Sequence, residues 1–442
     1  METKYQYLQF IPYATIRNWS VQYMKGEGMF SSIYPIKQLG DYIKEESERY
    51  SISDPSCEYG ILGVNNQNGI FDAYTENGAK IKQRYKKMEV GWIAYNPYRI
   101  NVGSVGVKRD YHNNDYISPA YVVFSCKEEL LPDFLYLIMR TPIFNQIIRN
   151  NTTGSVRQSL SFKALSALKI PLPSLEEQRY LLSAYLSIVN KSVSNIQAIE
   201  QEEQKTKSHI LSSLGIIKND GNRDTSLLRF IHFKDTLKRW DVYAVKEHYL
   251  SNWPIIELGN LIASISTGTT PPTSHKEYFD GNICFYTPAD ISDEIYLQES
   301  ERHISQKALD DGKARAFEKG TILFVGIGST VGKVGIVEKE KVTSNQQITG
   351  FKVDEQQILP EYVFCFLHYN KDISTAEQAK TTLPIVNQSK IAKIPIPLPP
   401  KEIQEDIVSY VKAAKVRIKA LRSEAESLKA QALHDFEKAL FK

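Results

Sequence analysis

Two stretches of this sequence carry side chains suited to a polyanion and to the hydrogen-bonding edges of flat heterocycles. In the first, Lys80, Lys82, Arg84, Tyr85, Lys86 and Lys87 form a basic run with one aromatic inside it. That composition fits phosphate contact by charge, with Arg84 as a base-contacting candidate. Soon after come Arg99, Asn101 and Ser104; an arginine fork matches guanine and a carboxamide matches adenine in a major groove. In the second stretch Thr269, Thr270, Ser274, His275, Lys276 and Tyr278 make a polar loop opening at a glycine, and Ser329, Thr330 and Lys333 make another. Plainer readings stand beside these: lysines on a solvated face, and Thr and Ser completing turns through side-chain hydrogen bonds.

The same sequence argues against catalysis. His275 has no second His, Cys or paired acid at ligand spacing nearby, so neither a metal nor a catalytic role is expected of it. Gly328-Ser-Thr-Val-Gly332-Lys333 resembles a phosphate-binding loop only superficially, because that loop would need glycine at Ile327 and Ser or Thr at Val334. Asn96-Pro97-Tyr98 is one proline short of the Asn-Pro-Pro-Tyr element of amino-methyltransferases and has no glycine-rich loop upstream, so it reads as a turn. The four cysteines, Cys57, Cys126, Cys284 and Cys365, lie far apart without a CxxC pair, which disfavours a zinc knuckle or disulfide framework. A reducing cytoplasm is the expected compartment. No signal-peptide core and no membrane-length apolar run is seen, so no membrane partner is expected. The net charge of +3 neither supports nor excludes DNA.

These side chains must be positioned by a chain that repeats itself. Pro171 to Gln178 (PLPSLEEQ) returns as Pro397 to Gln404 (PLPPKEIQ), and Tyr34 to Ile43 returns as Trp253 to Ile262. Gly91 to Val107 echoes Gly320 to Ile336. Leu131 to Ile138, followed by Arg157 to Ser161, parallels Leu359 to Phe366, followed by Leu383 to Asn387, and Trp19 and Trp240 precede their repeats at similar places. The 442 residues, 42% hydrophobic, suffice for two separate cores. Gly91 to Tyr95, Tyr121 to Phe124 and Ile322 to Val325 read as short strands, and Leu131 to Met139 and Tyr362 to His368 as short helices after a Leu-Pro start.

After each Pro-Leu-Pro the period changes to a heptad. Ile407, Val411, Ala414, Ile418, Leu421, Ala425, Leu428 and Ala432 alternate spacings of four and three, and Leu182, Leu186, Val189, Val193 and Ile196 do so in the first copy, before a polar stretch from Glu200 to Lys207 and then Ile210, Leu211 and Leu214. A two-helix seam leaves Val408 and Val416 off the stripe, as candidates for partner contact. The fold expected is α+β: two tandem α+β domains separated by two long antiparallel coiled-coil helices with pseudo-two-fold symmetry. The expected boundaries are a first domain at 1–173, a first spacer helix at 174–214, a linker at 215–224, a second domain at 225–399 and a second spacer helix at 400–442.

With these features the chain resembles the specificity (S) subunits of type I restriction-modification systems over almost its whole length. The resemblance is carried by the paired Pro-Leu-Pro helix starts, by Thr267-Gly268-Thr269-Thr270-Pro271 with Tyr278 and Gly281, by Thr287-Pro288-Ala289-Asp290-Ile291, by Gly326 to Ser329 and by Ser344-Asn345-Gln346-Gln347. The first domain has Glu45 to Asp54 where the second has its Thr-Gly-x-Thr-Pro element, so the two domains are expected to read different sequences. The resemblance implies a non-catalytic subunit whose two target recognition domains bind the halves of a bipartite site on double-stranded DNA. It implies spacer helices that set the gap and dock methyltransferase (M) subunits and, through them, restriction (R) subunits. S-adenosylmethionine, ATP and magnesium would be used by those partners, with no cofactor bound by this chain. Two alternatives remain at this point: a stand-alone DNA-modifying enzyme, and a coiled-coil adaptor that does not touch DNA.

Overall fold

The computed structural model describes residues 31–151, 159–217, 249–375 and 385–441. Trp19, Trp240, Arg157, Gln158, Leu383, Pro384 and most of the 215–224 linker lie outside them. The chain divides into two compact units, Met1–Asn195 with Glu424–Lys442, and Ile196–Ser423.

Among the described residues the first unit contains ten strands: β1 (Ile36–Gln38), β2 (Ile43–Glu45), β3 (Glu58–Asn65), β4 (Gly69–Asn77), β5 (Lys86–Lys87), β6 (Ile93–Tyr95), β7 (Val105–Val107), β8 (Tyr116–Ile117), β9 (Val122–Cys126) and β10 (Lys169–Pro171). They form sheets in the orders β2-β9-β6-β7 and β4-β3-β8-β5, with β1-β10 as a separate ribbon. Among these described strands only β3 and β8 pair in parallel. Strands β6 and β7 are covered on both faces, which is why their residues are uniformly apolar or small rather than alternating. The second unit repeats this plan strand for strand: β11 (Ile255–Glu257), β12 (Ile262–Thr267), β13 (Ile283–Tyr286), β14 (Arg302–Ile304), β15 (Ala316–Glu318), β16 (Ile322–Val325), β17 (Val334–Ile336), β18 (Lys341–Ser344), β19 (Ile348–Val353) and β20 (Pro395–Pro397). Its sheets are β12-β19-β16-β17, β14-β13-β18-β15 and β11-β20, each the first unit's order advanced by ten. The parallel pair recurs as β13 with β18.

The helices of the first unit include α1 (Pro132–Arg140), α2 (Pro142–Asn151), α3 (Phe162–Ser166) and the start of α4 (Leu175–Leu214). Those of the second are α5 (Gln306–Asp310), α6 (Pro360–Tyr369), α7 (Lys371–Ser374), α8 (Gln388–Ala392) and the start of α9 (Lys401–Leu440). Helices α1 and α6 each begin with proline at the first helical position, where its missing N–H costs nothing. Ser161 and Asn387, the last residues of the two matched segments, cap α3 and α8 by accepting from Ala164 N and Lys390 N. The repeated Leu-Gly also has one cause in both copies. Its leucine amide donates to Leu168 O or Ile394 O. A Cβ on Gly40 or Gly259 would lie 2.8 Å from Ser166 O or from the Ala392 side chain.

The glutamine that closes each Pro-Leu-Pro motif is fully buried. Gln178 accepts from Leu131 N at 2.9 Å and donates to Glu129 O at 2.9 Å and Pro173 O at 3.0 Å. Gln404 accepts from Leu359 N at 2.8 Å and donates to Gln357 O at 3.2 Å and Pro399 O at 2.9 Å. One side chain thus satisfies three backbone groups and ties the root of each long helix to the start of α1 or α6, linking motifs 47 and 45 residues apart.

Within each unit α4 and α9 run antiparallel. In the first, Ser192 Oγ donates to Ala425 O at 2.8 Å, and the Phe436 ring meets Tyr185 and Phe134 edge-on at 6.2 and 5.7 Å. In the second, Arg417 Nε donates to Glu202 at 2.8 Å, Lys415 pairs with Glu203 at 3.2 Å, and His209 stacks on Tyr410 at 3.9 Å. The heptad read on α9 is the packed seam: Ile407, Val411, Ala414, Ile418, Ala425 and Ala432 are buried and Leu421 and Leu428 half-buried.

The pattern read on α4 is packed at its ends, where Leu182 is half-buried against the first unit's core and Ile210 and Leu214 are fully buried, but not in its middle. Leu186, Val193 and Ile196 are 50%, 43% and 39% exposed. The covered face runs through Leu181, Ser192 and Thr206 to Ile210 and Leu214. Its middle is polar, with Ser192 and Thr206 turning their hydroxyls onto helix carbonyls, so there the apolar period points to the wrong side. Val408 is a second correction: it is 7% exposed and belongs to the core of the second unit, whereas Val416 is 70% exposed.

Candidate nucleic-acid interface

In the second unit the segments that connect β12, β13, β16 and β18 converge. Gly268 leaves β12 against the Ser344–Asn345 backbone; a Cβ there would come within 2.2 Å of Ser344 Oγ and 2.4 Å of Asn345 O. Thr270 donates to Gln346 from the same loop. Asn345 Nδ2 donates to Gln347 Oε1 at 2.9 Å, and Gly326 N to Gln347 O at 2.8 Å. The Thr287-Pro288-Ala289-Asp290 turn is closed by its own ends, the Thr287 amide and hydroxyl both donating to Asp290 Oδ2 at 2.8 and 2.7 Å. Burial pushes the Asp290 carboxyl up, but hydrogen bonds from Glu301 N and Thr287 and the charge of Arg302 outweigh it and hold the group below the ordinary carboxylate value.

These loops line an open cleft of about 460 Å³ bearing Thr287, Arg302, Ser329, Thr330, Asn345 and Gln347. A guanidinium, two carboxamides and three hydroxyls give the donor and acceptor set that reads base edges. Ser329 and Thr330 were candidates from sequence. Arg302 was not, because nothing in its local pattern separates it from the surrounding surface charges; Thr287, Asn345 and Gln347 stood out only through the family motifs.

The remaining candidates of this unit do not line the cleft. Thr269, Ser274, His275 and Lys276 are exposed on the preceding loop, with His275 Nδ1 at 3.1 Å from Glu277. Tyr278 is 7% exposed; burial first, then its hydrogen bond to Asp311, raises its pKa, so the hydroxyl serves the fold. Lys333 Nζ donates to Ile291 O at 3.0 Å, buttressing the Thr287–Ile291 turn.

The first unit presents a smaller cleft of about 370 Å³ that gathers Lys80, Lys82 and Tyr85 with Tyr74, Glu76 and Gln83. Lys80 is exposed and pairs with Glu76 at 3.3 Å. Tyr85 is buried, and its neighbour Tyr74, unremarked in the sequence, is 51% exposed at the cleft. Arg84 and Lys87 are exposed beside it. Lys86 belongs to the interior: it is 5% exposed and donates to Tyr121 O at 2.9 Å, and burial lowers its pKa. Arg99, Asn101 and Ser104 lie on the β6–β7 connection away from this cleft's lining, Arg99 exposed and Asn101 half-buried. Ser104 is buried and donates to Val64 O at 3.3 Å, leaving its hydroxyl no free face. Asn96 accepts from Tyr98 N at 3.0 Å, so Asn96-Pro97-Tyr98 is the turn its sequence suggested.

The chain matches the family whose description is "Type I restriction modification DNA specificity domain", over residues 34–223 and again over 251–428. The chain belongs to that family. The MjaIX specificity subunit of Methanocaldococcus jannaschii is 30% identical over 209 residues, 45% of this chain and 43% of that one. The HindI specificity subunit of Haemophilus influenzae is 22% identical over 428 residues, 84% of this chain and 92% of that one. A chain from a structural study of complex assembly and conformational transition in the type I restriction-modification system covers 93% of this chain and 98% of its own. It has a TM-score of 0.54 at 18% identity, which shows a shared fold. Among the described residues of this family member, no helix is long and apolar enough to cross a membrane.

Proposed function

We propose that this chain is the DNA-reading subunit of a type I restriction-modification complex, each unit binding one half of a bipartite asymmetric site. The observation that carries this reading is the strand-for-strand repetition of one scaffold whose connecting loops carry different polar side chains in the two units. A scaffold kept while its surface residues differ is what two distinct half-sequences require, and the polar set around Arg302 and the basic-aromatic set around Lys82 suit base edges and phosphates. The paired helices act as the spacer that sets the gap. Leu186 and Val193 in the first unit, and Ile196 and Val416 in the second, are solvent-facing apolar side chains available to methyltransferase subunits, through which restriction subunits join. Catalysis belongs to those partners, which use S-adenosylmethionine, ATP and magnesium in the cytoplasm; this chain contributes sequence choice and binds none of the three.

The test is a map of methylated adenines in cells carrying the chain with its methyltransferase partner. A matched insertion of one helical turn in both helices, after Glu200 and after Ile418, adds about 6 Å at about 1.5 Å per residue, close to two base pairs at about 3.4 Å each. The gap between the two methylated half-sequences should lengthen accordingly while both half-sequences persist. An unchanged gap, or methylation by the purified chain alone, would refute the reading.

A further inference from the structure

Outside the cleft, the second unit brings together a soft, a borderline and a hard donor. Cys284 on β13 lies directly across from His303 on β14 in antiparallel register, and Glu299 precedes His303 by one short loop. Cys284 Sγ is 3.1 Å from Glu299 Oε1 and 4.0 Å from His303 Nε2, and His303 Nε2 is 2.8 Å from the same carboxylate oxygen. The three ligand atoms all fall within 4.8 Å of one another. Sequence spacing hides this set, since register across two strands, rather than a local motif, joins its sulfur and nitrogen.

Burial varies across the cluster. Cys284 is 1% exposed, whereas the side chains of Glu299 and His303 are 61% and 30% exposed, so the sulfur forms the floor and the other two the rim. Lys339 covers it: its Nζ is 3.1 Å from Cys284 Sγ and pairs with Glu299. His303, Lys339 and Cys284 all hydrogen-bond the Glu299 carboxylate, which joins the cluster. The scaffold does not need the cluster. In the first unit β3 and β8 pair as β13 and β18 do, and the positions matching Cys284 and His303 are Gly60 and Thr75, which cannot supply sulfur or imidazole ligands.

We infer that Cys284, Glu299 and His303 form a binding site for a zinc-class divalent ion, with Lys339 occupying the place of the ion's charge until it arrives. Sulfur, imidazole nitrogen and carboxylate oxygen are the three ligand types zinc accepts, and three protein ligands leave its fourth position to water. Binding exchanges one proton for the ion at the thiol, Cys–SH plus M²⁺ giving Cys–S–M⁺ plus H⁺. The Lys339 side chain, 42% exposed, then moves to solvent. The ion clips β13, β14 and the loop before Arg302 together, stiffening one wall of the cleft. The site is independent of the DNA-reading proposal.

The test uses the full chain without a histidine tag, reduced and freed of metal by a chelator, and titrated with Co²⁺ as a coloured substitute for zinc. A thiolate-to-cobalt charge-transfer band should saturate at one equivalent and be displaced by Zn²⁺. Cys284→Ser should abolish that band, His303→Ala should weaken binding at least about tenfold, and Lys339→Met should retain or tighten it. Zinc should raise the melting temperature of the parent chain and leave that of Cys284→Ser unchanged. Absence of the band in protein whose circular dichroism is native, or a band indifferent to both Cys284→Ser and His303→Ala, would overturn the assignment.

Discussion

Acidification from pH 7.5 to 5 is expected to weaken the second unit through one side chain, His368. It lies on α6, stacked on Phe364 with ring centroids 5.2 Å apart, and its Nε2 is 3.3 Å from Lys415 Nζ. Burial, then the charges of Lys415 and Lys371, lower its pKa from 6.5 to about 3, with Asp293 opposing them weakly. The unfolded chain therefore takes up a proton near pH 6.5 that the folded chain refuses until about pH 3. The stability is complete above pH 6.5 and drains away as pH falls toward 3. At pH 5, about 1.5 pH units below the unfolded midpoint and at about 1.36 kcal/mol per unit, the loss approaches about 2 kcal/mol. Partial exposure of the ring brings the expectation to about 1–2 kcal/mol, or about 2–8 °C in melting temperature for a unit of this size. Carboxylates held low in this unit, Asp290 and Glu361 among them, lose their contribution only as pH falls through and below the ordinary carboxylate range, so they leave this window largely to histidine. Scanning calorimetry at pH 7.5, 6 and 5 should show a smaller acid shift for His368→Gln, whose amide oxygen can still accept from Lys415. Equal shifts in the two proteins would refute the argument.

Four further outcomes follow from the structure. Gln178→Leu and Gln404→Leu each strand three backbone groups; urea unfolding should show a loss of about 2–4 kcal/mol for either, with Gln404→Glu falling between because it keeps the acceptor and loses the donor. Gly268→Ala must displace the Ser344–Asn345 backbone, at about 1–3 kcal/mol; filter binding should show second-half-site recognition falling more than thermal stability. Arg302→Ala should relax selection at one base position by about 1–3 kcal/mol. Lys82→Ala should instead weaken all sequences alike and flatten the salt dependence by about one ion. A selection experiment run at two salt concentrations separates these last two.

The repeat, the strand centres and the α9 seam were legible because each is written in apolar residues at the period of its own element. The middle of the α4 seam was not, because there the covered face is held by hydroxyls and by ion pairs to α9, while an apolar strip faces water. Among the candidate site residues, composition could not tell Lys82 from Lys86, or Ser329 from Ser104. In each pair one side chain is at the surface and the other spends its hydrogen bond on a carbonyl brought near by distant chain. Arg302 became a candidate only when the turn at Thr287 and the loop at Asn345 closed around it. Ion-ligand geometry was hidden for a related reason, since β13–β14 register lies beyond any local motif.

The buried glutamine at the root of each long helix has a mechanical consequence. Three bonds at a single side chain leave no slack where the helix meets its globular part, so a tilt imposed on one must be carried by the other, as in a lever clamped at its fulcrum. Because that clamp draws on backbone groups outside both clefts, surface loops can be rewritten without loosening it, and new binding preferences can arise on an unaltered frame.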